Sequence, residues 1–209
     1  MYTMKNILFI LFFFMSFVAA TKCVGQDKEN TRLSNFTKLT FFNPGISYEK
    51  RIAKFQSLYA QLFMNTSFSI GYSSALGNTS DIRFDPAATL QYRYYYNNGR
   101  REASGKNTKM NNLNYVSFIT ETSVVTEKIL FVDHVEKIHR LLNEFVLAWG
   151  LQRNYKSRFS LDLRVGPSYL FAKATKQNSA GEYVTENVDE FSISGQINLG
   201  FWLNKRNRN

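Results

Sequence analysis

Between Arg158 and Phe171 the chain alternates without a break. Phe159, Leu161, Leu163, Val165, Pro167, Tyr169 and Phe171 fall on one side, and Arg158, Ser160, Asp162, Arg164, Gly166 and Ser168 on the other. Successive side chains of a strand point to opposite faces, so the segment predicts a β-strand between two different surroundings. At fourteen residues it far exceeds the usual strand of about 5–6, whereas a tilted strand crosses a bilayer in roughly 9–11. Its length predicts a membrane crossing.

Six further segments repeat the pattern. Ser57 to Tyr72 sets Leu58, Ala60, Leu62, Met64, Phe68, Ile70 and Tyr72 against Tyr59, Gln61, Asn65, Ser67, Ser69 and Gly71. Ala87 to Tyr96, Asn143 to Arg153 and Phe191 to Leu203 alternate as clearly, and Asn114 to Val125 and Gly45 to Ile52 do so more weakly. A barrel with both termini at one end needs an even strand count. Leu33 to Phe42 supplies the eighth strand, joined to Ile46 through Asn43-Pro44-Gly45, a turn in which proline presets φ and glycine supplies positive φ. The strand parity puts Ala53 to Gln56, Asn97 to Asn112 and Asn154 to Ser157 at the end of the termini, and Ser73 to Asp85, Thr126 to Leu142 and Ala172 to Glu190 as longer loops at the other.

The polar faces carry mainly Ser, Gly, Ala, Asn and Gln with isolated charges. The wetted wall of a soluble barrel would be rich in Lys and Glu. Aromatic residues gather near segment ends, at Tyr72, Tyr92, Tyr94, Tyr96, Trp149, Tyr169, Phe171, Phe201 and Trp202, as interfacial girdles do. The expected fold is therefore all-β, a single up-and-down antiparallel transmembrane β-barrel of about eight strands.

The ends bound the rest. Met1 to Asn6 carries one lysine, Ile7 to Phe14 is unbroken apolar, and small residues follow, with cleavage expected after Ala20 or Gly25. This is the layout of a secretory signal peptide, too short to span a membrane as a helix. Residues 1–25 hold Lys5 and Lys22 and no acid, so their removal takes the formal charge from +10 to +8. Residues 26–209 are one barrel domain by length. Cys23 is the only cysteine and follows Lys22, which argues against a lipid anchor; no disulfide or cysteine metal site is possible, and no cofactor is expected. Export argues against a nucleic-acid partner.

Three stretches, NPGISYEKRIAKFQSLYAQ (Asn43 to Gln61), LQYRYYYNNGRREASGKNTKMNNLNYVSF (Leu90 to Phe118) and WGLQRNYKSRFSLDLRVGPSY (Trp149 to Tyr169), resemble small outer-membrane β-barrel proteins of Gram-negative bacteria, specifically single-barrel families without assigned activity. The resemblance implies location in the cell outer membrane and eight strands. It implies no activity.

Glu49, Arg51, Arg93, Glu121, Glu144, Asp162 and Arg164 fall on the polar faces, and an eight-stranded barrel is just wide enough for side chains to fill. They are expected to pair across the lumen as a structural ionic network, with a proton or small-ion path as the sharper alternative. Asp162 and Arg164 are expected to seek partners such as Glu144 and Gln196. Arg100, Arg101, Lys106 and Lys109 form a basic cluster suited to anionic lipid or lipopolysaccharide. His134 and His139 are the two histidines, with Ser123 and Glu136 nearby. A rim-site enzyme acting on lipid would use such groups, but Val132, Val135, Ile138, Leu141 and Leu142 predict instead a short amphipathic helical element. The leading expectation is a monomeric, non-enzymatic outer-membrane barrel with a structural or surface-interaction role. The alternatives are a lipid-modifying enzyme or a soluble secreted ligand-binding barrel.

Overall fold

The computed structural model describes residues 33–73, 77–130, 135–177 and 183–204; the segment expected to be a signal peptide, Cys23 and His134 lie outside them. Eight antiparallel strands follow one another round a ring: β1 (Phe36–Thr40), β2 (Gly45–Ala53), β3 (Gln56–Ser73), β4 (Gly77–Tyr95), β5 (Asn114–Leu130), β6 (Val135–Asn154), β7 (Phe159–Gln177) and β8 (Tyr183–Trp202). β1 closes the ring on β8 through Lys38↔Trp202, Leu39↔Phe201 and Thr40↔Gly200.

Partnering from Ile46 through Leu62, Ala88, Thr122, Asn143 and Phe171 arrives at Asp189. Partnering the other way, through Leu39, arrives at Phe201, twelve residues further along the same strand. That stagger over eight strands corresponds to a tilt of about 45°. The tilt stretches every strand along the wall, which is why β3 to β8 run to 17–20 residues.

The strands are longer than the sequence reading, and all three expected longer loops are largely strand, the first because β4 begins at Gly77 and pairs with β3 out to Ser73↔Gly77. β5 continues to Leu130 and β6 begins at Val135, so the loop expected over 126–142, with a helical element from Val132 to Leu142, is among the described residues a two-stranded ladder whose pairs include Thr126↔His139 and Leu130↔Val135. Five apolar residues at helical spacing were outweighed by the ladder hydrogen bonds that each flanking strand offers its neighbour. The segments flanking 178–182 behave likewise, pairing out to Gln177↔Tyr183. Proline leaves a local mark: β6 and β7 pair at Val146↔Ser168 and next at Trp149↔Val165, skipping Gly166 and Pro167, where the ladder lacks an N–H.

The expected faces are otherwise observed. Leu58, Leu62, Leu90, Val116, Phe118, Phe145, Leu147, Val165 and Ile197 are exposed on the outer wall, while Tyr59, Gln61, Gln91, Arg93, Ser117, Ser160 and Asp162 are buried within. Trp202 is a correction: it is buried facing inward, edge-on to Phe36, and its indole N–H donates to the Tyr155 carbonyl at 3.0 Å. Strand parity explains this, because Phe201 takes the outward place.

The end holding Leu33 and Leu203, called here the terminal end, is stoppered. Residues 96–113, the longest of its connections, form a short helix α1 (Asn98–Ala103) and a 3₁₀ turn at Lys109–Asn111. Leu33, Tyr95, Leu113 and Tyr115 pack beneath them with Phe55 against the cluster. Asn111 exchanges hydrogen bonds with the Ser34 backbone and Asn112 with that of Asn154, all at 2.7–2.9 Å. The connection that carries the basic cluster is the lid of this end.

Closure depends on a seam of three residue pairs, and at Gly200 an added Cβ would lie 2.0 Å from the Leu39 carbonyl oxygen, whereas at Gly195 the nearest atom is 3.7 Å away. Gly200→Ala is expected to destabilise the barrel by about 1–3 kcal/mol and Gly195→Ala to leave it unchanged, measured by urea unfolding of the refolded chain.

Candidate functional site

The tilt sets the inward side chains of different strands at matching heights, and the lower half of the lumen is filled by one connected layer. Arg93 of β4 is its centre and is 0% exposed. Its Nη1 donates to Asp162 Oδ2 at 2.7 Å and to Gln152 Oε1 at 2.8 Å, and its Nε to Gln91 Oε1 at 2.8 Å. The guanidinium carbon lies 3.9 Å from the Tyr59 ring centroid and 4.4 Å from that of Tyr115. The cation is thus held in its plane by amide and carboxylate acceptors and covered on its faces by aromatic rings, which suits the weakly hydrated guanidinium better than an ammonium.

Two acids complete the layer. Asp162 Oδ1 accepts the Tyr115 hydroxyl at 2.6 Å. Glu49 accepts Tyr95 at 2.5 Å and Ser57 at 2.8 Å through Oε1, and Gln152 at 3.0 Å through Oε2. Lys38 of β1 reaches Glu49 Oε2 at 4.0 Å. Two cations balance two carboxylates, and seven strands, β1 to β7, contribute, so the layer ties the wall together across its diameter. Gln61 links it to β1 and β8 through Thr40 and Asn198.

A second group lies above. Arg164 Nη2 donates to Glu121 Oε2 at 2.5 Å. Glu121 and Glu144 are Cα partners on neighbouring strands, and Glu144 receives a contact of 3.4 Å from the Ser194 hydroxyl. Of the seven expected network members, Glu49, Arg93 and Asp162 meet in the lower layer, and Glu121, Glu144 and Arg164 meet in the upper. Arg51 does not join them: it is exposed at the strand end, beside the irregularity between Arg51 and Ala53, with its backbone N–H on Asn35. Asp162 pairs with Arg93 and Arg164 with Glu121, rather than with Glu144 and Gln196. Lys38, Gln152 and the three buried tyrosines Tyr59, Tyr95 and Tyr115 were missed as site residues, though each stands in phase with an inward neighbour on its own strand.

The other candidates lie elsewhere. Arg100, Lys106 and Lys109 are exposed on the terminal-end connection, and Arg101 is half-buried with Nη2 on the Asn107 carbonyl at 3.1 Å. His139 is exposed on the outer wall with Nδ1 3.2 Å from Thr126 Oγ1, in a groove shared with Tyr169, Phe171, Lys173 and Asp189. Ser123 is buried on the inward face of β5. A serine and a histidine on opposite faces of a sheet cannot form a nucleophile–base pair. Among the described residues no group of three His, Cys, Asp or Glu could hold a metal.

Comparison with known protein families, with curated proteins and with solved structures found no match. The chemistry is read from the geometry alone, and its lower layer is a neutral, cross-braced plug. Arg93→Ala, which strands Asp162 in a buried site, is expected to cost about 3–5 kcal/mol. The paired change Arg93→Met with Asp162→Leu should recover much of that loss, read as the urea midpoint of each refolded variant.

Proposed function

We propose that this chain is an integral outer-membrane β-barrel protein, non-enzymatic, whose lower lumen is sealed by the Arg93 layer and whose role is structural or one of surface interaction. One observation carries the reading: the outer wall exposes large apolar side chains on every strand while charged and amide groups are packed inside. A soluble barrel has the reverse arrangement, and a free-standing wall of this size in water would be an aggregation surface.

Two features support the same reading. Tyr96 and Trp149 are joined on the outer wall by an indole N–H to hydroxyl bond of 2.7 Å towards the terminal end, and Phe145, Tyr169, Phe171 and Phe191 cluster further along it. Two aromatic bands match two interfaces of a bilayer. With the short turns and termini on the periplasmic side, Arg100, Lys106 and Lys109 meet the phospholipid head groups of the inner leaflet, where each cation gains roughly 1 kcal/mol from anionic lipid. Phospholipid thus fits this cluster better than lipopolysaccharide, which occupies the opposite leaflet.

Carbonate extraction of membranes should leave the protein behind in the pellet, and unheated samples should migrate differently from boiled ones in gel electrophoresis. A carbonate-soluble chain with no heat shift would end this reading. In planar bilayers the wild type should show no lasting open conductance, while Arg93→Ala combined with Asp162→Ala should admit small ions. A large stable channel in the wild type would contradict the plug.

A further inference from the structure

At the end opposite the termini the ring divides into three hairpins. β4 and β5 stop pairing at Ala87↔Ser123 and β6 and β7 at Leu142↔Ala172, although all four strands continue beyond those points. Above the short β1–β2 hairpin there is a gap, where neither β3 nor β8 has a second strand partner among the described residues. Of these openings, the fork between β6 and β7 carries chemistry.

The fork opens on the outer wall as a groove of about 910 Å³ whose lining includes His139, Asn143, Phe171, Lys173, Asn187 and Asp189. That is the size of a site for a small molecule or a lipid head group. Its lower edge is the aromatic band of the outer wall, because Tyr169 and Phe171 belong to both. Leu141, 60% exposed, lines it from β6.

The polar groups of the groove are braced. Arg140 Nη2 donates to the Thr175 hydroxyl and so ties β6 to β7 where their ladder has ended. The Tyr169 hydroxyl donates to Asp189 Oδ2 at 3.1 Å, Thr122 donates to Asn143 Oδ1 at 2.9 Å, and His139 Nδ1 lies 3.2 Å from Thr126 Oγ1. Lys173 is exposed and has no ion-pair partner among the described residues. Two cations thus stand at the groove against one carboxylate, and that carboxylate is already engaged by a tyrosine.

Each component selects a different part of a ligand. An ammonium on a flexible stem takes a phosphate as a point charge, amides and a carboxylate pair with hydroxyl groups, and aromatic rings at an interface cover an apolar body. A ligand that combines phosphate, hydroxyl groups and acyl chains is a phosphorylated glycolipid. Under the membrane reading this end of the barrel lies in the leaflet that lipopolysaccharide occupies.

We infer that the β6–β7 fork is a binding site on the outer wall for a phosphorylated glycolipid, the lipid A moiety of lipopolysaccharide. A phosphate lies on Lys173 and His139, sugar hydroxyls on Asn187 and Asp189, and the acyl chains descend over Leu141 and Phe145. The site rests on the membrane reading and deepens it by naming one lipid at one place.

The test uses the mature chain refolded in detergent micelles, with its heat shift in gel electrophoresis as the measure of folding, and native mass spectrometry of its complexes with bisphosphorylated lipid A. The wild type should hold one lipid A and should bind the dephosphorylated glycolipid roughly tenfold more weakly, the worth of one charge-assisted hydrogen bond. Lys173→Gln should lose the same factor for lipid A and nothing for the dephosphorylated form. Asn187→Trp keeps both cations and fills the groove, so it should lose both ligands. Lys156→Gln, in an exposed turn at the terminal end, should bind as the wild type does. Equal affinity for the two glycolipids overturns the phosphate contact. Equal losses in Lys156→Gln and Lys173→Gln, or undiminished binding in Asn187→Trp, overturn the groove and leave the membrane reading standing. A chain without a heat shift overturns the membrane reading, and the site with it.

Discussion

A guanidinium enclosed in a narrow protein cylinder has to be neutralised, hydrogen-bonded in its plane and covered on its faces, and the burial of Arg93 imposes those demands on the whole lower barrel. Asp162 comes from β7, Gln152 from β6, Tyr115 from β5 and Tyr59 from β3. None of these groups could meet unless the register round the ring were fixed, since a slip of one residue turns each of them outward. The ion pair is therefore less a source of net stability than a register lock. The outer wall, apolar on every strand, would accept several registers; the lumen accepts one.

The same layer separates two regions that a uniform reading of the polar faces merges. Below it the interior is apolar and aromatic, with Leu33, Tyr95, Leu113 and Tyr115 packed beneath the connection over 96–113. Above it stand Arg164, Glu121 and Glu144, on the side where β1 and β2 stop. The short hairpin is what permits this. Its turn at Asn43, in the left-handed region at φ 80° and buried, returns the chain halfway up the wall, where a longer hairpin would have closed it.

Much of this was legible because a strand's side-chain period is two and a barrel has only two surroundings. The phase of Arg158 to Phe171 correctly placed Asp162 and Arg164 inside and Leu161 and Val165 outside. Phase says nothing of height, however. Height depends on the stagger round the ring, so the partners expected for Asp162 and Arg164 were displaced by a layer, and Arg51, inward in phase, lies past the rim. The helical spacing over Val132 to Leu142 misled for a related reason: periodicity within one segment does not register a cross-strand ladder such as the one from Leu130↔Val135 to Ser123↔Leu142. Lys38 went unnoticed because its strand is short, yet Phe36, Lys38 and Thr40 form an inward row as regular as any other.

A short hairpin in an otherwise tall barrel needs a physical account, because every unpaired ladder group kept from water costs as much as a lost hydrogen bond. Extending β1 and β2 by a few residues would have removed that cost, and the chain has polar and β-branched residues to do so elsewhere. The cost is reduced where the edge faces a wet or ligand-filled lumen, and the upper lumen is polar on the strands next to the gap, at Ser192, Ser194 and Gln196 of β8. The side chains opposite are those of Glu121 and Glu144, placed one beside the other where like charges disfavour pairing. The gap leaves backbone groups unpaired, while the two adjacent acids are offset by the ion pair of Arg164 on Glu121. Unpaired donors are buried at both heights, Arg93 Nη2, Lys38 Nζ and Gln91 Nε2 in the plug and Arg164 Nε and Nη1 above it.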